Sequence, residues 1–413
     1  MAKVSVIVPV YNTKVEYLRH CLDSIDRSSI SDHDMEVIVV DDGSSVDYSE
    51  VKKSFPHFHF YSIENVGTLN ARLFGLDKSA GDYIAFVDSD DALTFDYLEA
   101  MLIRGEQTQS DIVINDWAFW THNSKYVCAN DTTINSDFLL EGDAVLSKYF
   151  SSCGAEHSYY VLWNKLYKRE ILLSAKQDIE RLGISKLVFA EDSLTSFFAF
   201  CHSQKISNTH SGYYFYRIHD SQQIYVSDRD KFVNQVQSMG KVFAIMESHI
   251  VQIERNDLSP MLKKWKELMA SSHLTTARHS HFHDMKALIM DTYSVEKISR
   301  LPASAQRPYE KHLLLPSNLD EIENVIRKLF DEKNMAKLAV KKASYVERRL
   351  QNMSKLFSLP ITITYDKKGA DMVAPREIYP LKLRLLHNPL VYKVGMFLFP
   401  KGSKIRKILK AKI

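Results

Sequence analysis

Short apolar runs and helix-spaced apolar positions alternate along the first hundred residues. Val4–Val10 (VSVIVPV) reads as a buried strand, after which Val15, Leu18, Leu22 and Ile25 recur at the spacing of one helix face. Met35–Val40 (MEVIVV) predicts a second strand, Phe58–Ile63 a weaker third and Tyr83–Val87 a fourth. Leu69, Leu73 and Leu76 line a helix between the third and fourth, and Ile112–Ile114 opens a fifth strand. Thr94 is placed to cap the helix that follows the fourth strand. This rhythm predicts an α/β fold, a Rossmann-like, mostly parallel sheet with helices on both faces.

From about Lys231 helical spacing takes over, as in Val233, Val236, Met239, Val242 and Phe243, and Asp320–Phe357 is a further helical stretch rich in Lys and Glu. The chain therefore divides into an α/β region over 1–225, a helical domain over 226–357 and a C-terminal segment over 358–413. No repeat or low-complexity stretch interrupts it.

The polar residues sort themselves by position. In open α/β sheets, ligands bind beyond the carboxyl ends of the strands. PVYN follows the first strand, DDGS the second, EN-x-G the third and DSDD the fourth, all at that edge. Asp88, Asp90 and Asp91 crowd the mouth of a buried strand, where like charges repel unless something positive joins them. Asp88 and Asp90, two apart on an extended chain, point the same way and suit a hard cation such as Mg²⁺ or Mn²⁺ shared with phosphates. A helix cap with a solvated loop is the plainer reading of that pair taken alone.

Asp41 and Asp42 are placed to accept hydrogen bonds from a ribose or base, and Asn65 and Arg72 bracket the next helix start. In FAEDSLTSFF, Glu191 and Asp192 sit where a helix begins, with Leu194, Phe197 and Phe198 on its apolar face. A carboxylate there is favoured in its charged form, as a general base requires, although an ordinary capping acid looks the same. Arg217 and His219, in SGYYFYRIHDSQ, share one face of a predicted strand.

Charge adds one feature. The formal net charge is +2, yet the stretch from Arg376 onward carries ten Lys or Arg and one acid, Glu377, which leaves the body acidic. This basic tail, interleaved with Leu, Phe and Tyr, predicts an anionic partner; packing on the body or on another subunit of a homo-oligomer is the alternative. The cysteines Cys21, Cys128, Cys153 and Cys201 form no C-x-x-C pair and read as reduced thiols. HSHFH, at 279–283, has no zinc-site spacing and reads as surface or acceptor contact. No apolar run approaches the roughly 20 residues that span a bilayer. A G-x-G-x-x-G after the first strand and a Walker P-loop are both missing, which counts against a dinucleotide-dependent oxidoreductase and a P-loop enzyme.

Taken in order, VSVIVPVYN, VIVVDDGS, ENVGTLNARLFGLDKSAGDYIAFVDSDD, LWNKLYKREIL, FAEDSLTSFF and YYFYRIHDSQ resemble the family 2 glycosyltransferases with the GT-A fold, over about residues 1–225. The resemblance implies an inverting sugar transfer from a nucleotide-diphosphate donor, commonly a UDP-sugar, assisted by Mn²⁺ or Mg²⁺. By that likeness Pro9, Tyr11, Asp41, Asn65 and Arg72 contact the nucleoside, and Asp88, with Ser89, lies on the base–ribose side. Asp88, Asp90 and His219 would hold the metal, Arg217 the diphosphate, and Asp192 would be the general base. Asn164 and Lys165 belong to the pattern without a role. The acceptor implied is a growing surface glycan, teichoic acid or glycolipid, met at the cytoplasmic face of a membrane that the basic tail would bind; nucleic acid is not expected. A non-catalytic nucleotide-sugar-binding relative is the alternative, disfavoured because Asp88, Asp90 and Asp192 are all present.

Overall fold

The computed structural model describes residues 3–296, apart from 31–33, 122–125, 128–136, 153–156, 185–186, 188, 219–227, 281 and 283, together with 364–365 and 372–373. Two compact units divide the chain, Met1–Tyr309 and Glu310–Ile413. In the second, the described residues form a two-stranded antiparallel pair, Thr364–Tyr365 with Met372–Val373. The basic tail and the stretch 320–357 lie outside the described residues.

The first unit runs β1 (Val4–Val10), α1 (Val15–Asp26), β2 (Met35–Asp42), α2 (Ser49–Ser54), β3 (His59–Ile63), α3 (Thr68–Lys78), β4 (Tyr83–Phe86), β5 (Ala92–Leu93), α4 (Tyr97–Thr108), β6 (Ile112–Ile114), β7 (Trp117–Thr121) and β8 (Tyr126–Val127). It continues through β9 (Leu139–Glu141), α5 (Asp143–Ser152), α6 (His157–Tyr160), β10 (Lys165–Lys168), α7 (Arg169–Arg181), α8 (Glu191–His202), β11 (Lys205–Asn208), β12 (Tyr214–Ile218), α9 (Arg229–Gln252), α10 (Ser259–His279) and α11 (Met285–Tyr293). Among the described residues, β3-β2-β1-β4-β10-β6-β11-β9 form one eight-stranded sheet and β5-β12-β7-β8 a smaller one. The large sheet is parallel from β3 through β4, then takes β10 antiparallel between β4 and β6.

Alternation along the strands loads both faces. Val4, Val6, Val8 and Val10 of β1 pack with Leu18, Cys21, Leu22 and Ile25 of α1 and with Leu98, Met101 and Leu102 of α4. Ile7, Ile84 and Phe86 face the other way, onto Leu69, Leu73 and Leu76 of α3 and onto α5, α7 and α8. The helical stretch from Arg229 joins that second core: Phe243 meets Trp265 edge-on at 5.2 Å, and Trp265 meets Tyr149 of α5 at 6.0 Å. Asp228 starts α9 by accepting the Lys231 N–H at 2.8 Å.

Thr94 is not the cap of α4. That helix begins at Tyr97, and the Thr94 hydroxyl instead accepts the Tyr213 N–H at 2.8 Å, tying β5 to the approach of β12. The second strand runs two residues past its apolar stretch, because Asp41 and Asp42 stay paired in register with Ser62 and Ile63 of β3.

Candidate active site

The chain leaves β1 outward to β2 and β3 on one side, then returns to place β4 on the other. That reversal opens a crevice beyond the carboxyl ends of β1 and β4, the expected place for a ligand. Pro9 pairs with Val40 and Val10 with Asp41, so PVYN and DDGS emerge side by side. Asn12, at φ 52°, accepts the Ser45 N–H and hydroxyl at 2.8 and 2.9 Å, and its own N–H donates to Ser44 Oγ at 2.9 Å. Asp41 accepts the Ser44 N–H at 3.0 Å. Gly43 is required between them: its φ is +73°, and a Cβ there would lie 2.8 Å from the backbone nitrogen of Asn65. Pro9, Tyr11, Asp41 and Asn65 are thereby gathered at one end of the crevice, with the Tyr11 ring 54% exposed.

Arg72 belongs to the other end. It is 4% exposed, on α3, and its guanidinium donates to Asp88 Oδ1 at 2.8 Å and to Asp192 Oδ1, with Glu191 Oε1 at 3.5 Å. Asp192 and Glu191 form the first turn of α8, entered through Ala190 in the left-handed conformation. One cation thus draws the strand-end acid Asp88 and the helix-start acid Asp192 to the same space.

The small sheet brings the next group. β12 pairs with β5, which follows DSDD directly. Arg217 donates its N–H to Asp91 Oδ1 at 2.7 Å and its Nε–H to the Asp90 carbonyl at 2.5 Å, and lies over the Tyr17 ring at 4.3 Å. The Tyr214 hydroxyl donates to Asp91 Oδ2 at 2.6 Å and accepts the Asp88 N–H at 3.0 Å. Ser89 shares a 2.6 Å hydroxyl contact with Thr13. His219 lies outside the described residues, so its place beside Asp88 and Asp90 is not described.

The electrostatics follow from this crowding. Burial, together with Asp192 and Asp90, outweighs Arg72 and pushes the Asp88 carboxyl up to about 6. Burial and the adjacent Asp192 push Glu191 up to about 7. Asp91 is driven well above the usual carboxylate range by burial, then by Asp90 and Asp88. Among the described residues no three His, Cys, Asp or Glu side chains converge to hold a metal ion by themselves. The donor chemistry nonetheless fits Mg²⁺ or Mn²⁺: these ions take one or two carboxylates and complete their shell with phosphate and water. The surplus of acid over guanidinium is the positive-charge deficit such an ion would fill.

Sequence reasoning misses Tyr214 and leaves Lys165 without a role. Tyr214 alternates with Phe215 on β12 and would look like core; its signal is the Tyr–x–Tyr pair beside Arg217. Lys165 is 0% exposed, and its amine donates to the Val161 carbonyl and to Asn164 Oδ1, the latter at 2.8 Å. Its signal is a lysine set among the large apolar residues of LWNKLY.

Residues 5–126 match the family described as glycosyl transferase family 2. Over 231 residues the chain is 30% identical to the glycosyltransferase GlyA of Streptococcus pneumoniae serotype 4 (strain ATCC BAA-334 / TIGR4), covering 52% of this chain and 30% of that protein. Over 223 residues it is 29% identical to the uncharacterized glycosyltransferase EpsJ of Bacillus subtilis (strain 168), covering 52% of this chain and 60% of that one. The match therefore spans less than two thirds of either relative. The crystal structure of S. aureus TarS superposes with a TM-score of 0.50 at 17% identity, over 71% of this chain and 53% of that chain, a likeness that speaks to the fold alone. No helix among the described residues is long and apolar enough to cross a membrane.

Proposed function

The chain belongs to glycosyl transferase family 2 through residues 5–126, and from that premise we propose an inverting glycosyltransferase that moves a hexose or N-acetylhexosamine from a nucleotide-diphosphate donor, a UDP-sugar, to an acceptor hydroxyl. The observation that carries this reading is the single guanidinium of Arg72 joining Asp88, at the end of β4, to Asp192, at the start of α8. It holds a strand-end acid, proposed here as a donor-side and metal ligand, and a helix-start acid, proposed as the base, around one space. Pro9, Tyr11, Asp41 and Asn65 would receive the nucleoside at the other end of the crevice.

Asp88 and Asp90 would hold Mn²⁺ or Mg²⁺, with His219 as a third ligand by family likeness; when bound, the ion supplies Lewis-acid neutralisation of diphosphate oxygens. Arg217, its backbone N–H held by Asp91 and its Nε–H by the Asp90 carbonyl, would meet the departing diphosphate, whose negative charge grows as the glycosidic bond breaks. Asp192 takes the proton of the acceptor hydroxyl as that oxygen attacks the anomeric carbon opposite the leaving group, so the configuration inverts. The acceptor we favour is a growing surface glycan such as capsule, teichoic acid or a glycolipid, with the basic segment from Pro375 holding the enzyme peripherally at the inner leaflet.

A donor panel with Mn²⁺ or Mg²⁺, with and without chelator, tests the assignment through nucleotide release. Asp192→Asn is expected to bind donor normally and lose about 10²–10⁴ in transfer rate. An unchanged rate removes Asp192 from the role of base, and donor binding without turnover on any acceptor reduces the protein to a binding module.

A further inference from the structure

We propose that Lys165 is a positioning residue for Asp192, acting through one peptide group, that between Val161 and Leu162. This rests on the reading of Asp192 as the general base. At one end of that peptide, the Leu162 N–H donates to Asp192 Oδ2 at 3.4 Å. At the other, the Val161 carbonyl accepts from the Lys165 amine and from the Ser196 hydroxyl, the latter at 3.3 Å. The C=O and N–H of a planar trans peptide point in opposite directions, so fixing the oxygen fixes the direction of the hydrogen.

Asp192 and Ser196 are four residues apart on α8 and share one face of that helix. The peptide lies along this face with a bond at each end. Those two bonds alone would let the peptide ride with the helix. Lys165 adds the attachment to the sheet: it is the first residue of β10, whose next residue, Leu166, pairs with Ala85 of β4, the strand that leads to Asp88 two residues past its end. The base and the strand-end acid are thus referred to one rigid frame. The peptide dipole also turns its positive end toward the Asp192 carboxylate and its negative end toward the amine. Burying an amine completely is costly unless its hydrogen bonds are made, and here they are spent on the Val161 carbonyl and Asn164. The other charged groups that face Asp192 are Arg72, Asp88 and Glu191, none of which touches this peptide in the same way.

The test is a double-mutant cycle on the full chain, using Lys165→Met, Ser196→Ala and Asp192→Asn, with kcat, donor KM and thermal midpoint as readouts. Lys165→Met is expected to lower kcat about 10–100-fold, the scale of a misplaced catalytic group, while donor KM stays within about twofold. Combined with Asp192→Asn, it should cause no further loss in the residual rate. Ser196→Ala should lower kcat in the same direction by a few-fold. Losses that multiply in the Asp192→Asn background, or a donor KM that rises as kcat falls, would show Lys165 to be general scaffolding and overturn the proposal; so would an unchanged kcat. If Lys165→Met gives no cooperative melt, Ser196→Ala decides alone, and its wild-type kcat refutes the relay. A wild-type rate in Asp192→Asn by itself defeats the base assignment, and the positioning role with it.

Discussion

Two strand ends, one on either side of β1, carry aspartates and treat them oppositely. At the end of β2, Asp42 is 4% exposed and accepts the N–H groups of Val66 and Gly67 at 2.8 and 2.9 Å, and Asp41 accepts that of Ser44. Backbone donors answer both oxygens of Asp42, so its charge is spent on architecture: it pins the β3–α3 turn to β2. At the end of β4, Asp88 meets the Arg72 guanidinium, and Asp91 meets the Tyr214 hydroxyl and the Arg217 backbone N–H, with other acids alongside. Their carboxyls rise out of the normal range because burial and mutual repulsion exceed what Arg72 returns to Asp88 and what the Tyr214 hydroxyl and Arg217 N–H return to Asp91. A carboxylate with both oxygens held by backbone amides is finished business; one held short of charge is ready for a cation or a proton.

The largest break in this contrast should come from Arg72→Leu. It leaves Asp88, Asp192 and Glu191 facing one another without the guanidinium they share. Removing one partner of a buried ionic group typically costs about 3–5 kcal/mol, and urea unfolding at pH 7.5 should report a loss of that order. The same variant should lose visibly less at pH 5, where protonation relieves the acids. A loss below about 1 kcal/mol at pH 7.5 would mean that another charge already balances the cluster.

The sequence announced the strand ends better than it announced their partners. The spans Val4–Val10 and Ile112–Ile114 were legible because apolar runs of strand length are bounded by polar turns, and the helix at Glu191 because Leu194, Phe197 and Phe198 repeat at helical spacing. Four polar clusters at one sheet edge could be placed because parallel strands share a direction. What could not be read was Arg72 reaching Asp192, 120 residues away, or β10 slipping antiparallel between β4 and β6. Both depend on how distant segments pack. LWNKLY is too short to announce a strand by periodicity, and its lysine becomes intelligible only once the Val161 carbonyl is seen beside it.

A middle-sized effect concerns pH. Glu191 stands at about 7 and Asp88 at about 6 in the folded protein, above their ordinary unfolded values. Between those limits the native state binds more protons than the unfolded chain, so stability falls as pH rises. The contribution is intact below about pH 4 and is lost as pH climbs through 6 and 7, the reverse of ordinary acid denaturation. Urea midpoints between pH 5 and 8 should show a decline worth on the order of 1–3 kcal/mol or more, and Glu191→Gln should remove part of it, Asp88 and Asp91 keeping the rest. A decline that persists unchanged in Glu191→Gln would assign it elsewhere.

The smallest effect belongs to the quiet end. Asp42→Ala removes the acceptor for two N–H groups at the entrance to α3, a capping loss that typically costs about 1–2 kcal/mol. Asp42→Asn keeps one carbonyl oxygen and should recover roughly half of that stability. Neither change should alter the slope of stability against pH between 5 and 8, because the bonds lost are to uncharged amides and the acid cluster at β4 is untouched. That slope separates the two ends more sharply than the size of the loss does. If Asp42→Asn reduced it as Glu191→Gln is expected to, the β2 and β4 aspartates would form one electrostatic unit, and the division of this crevice into an architectural and a chemical end would fail.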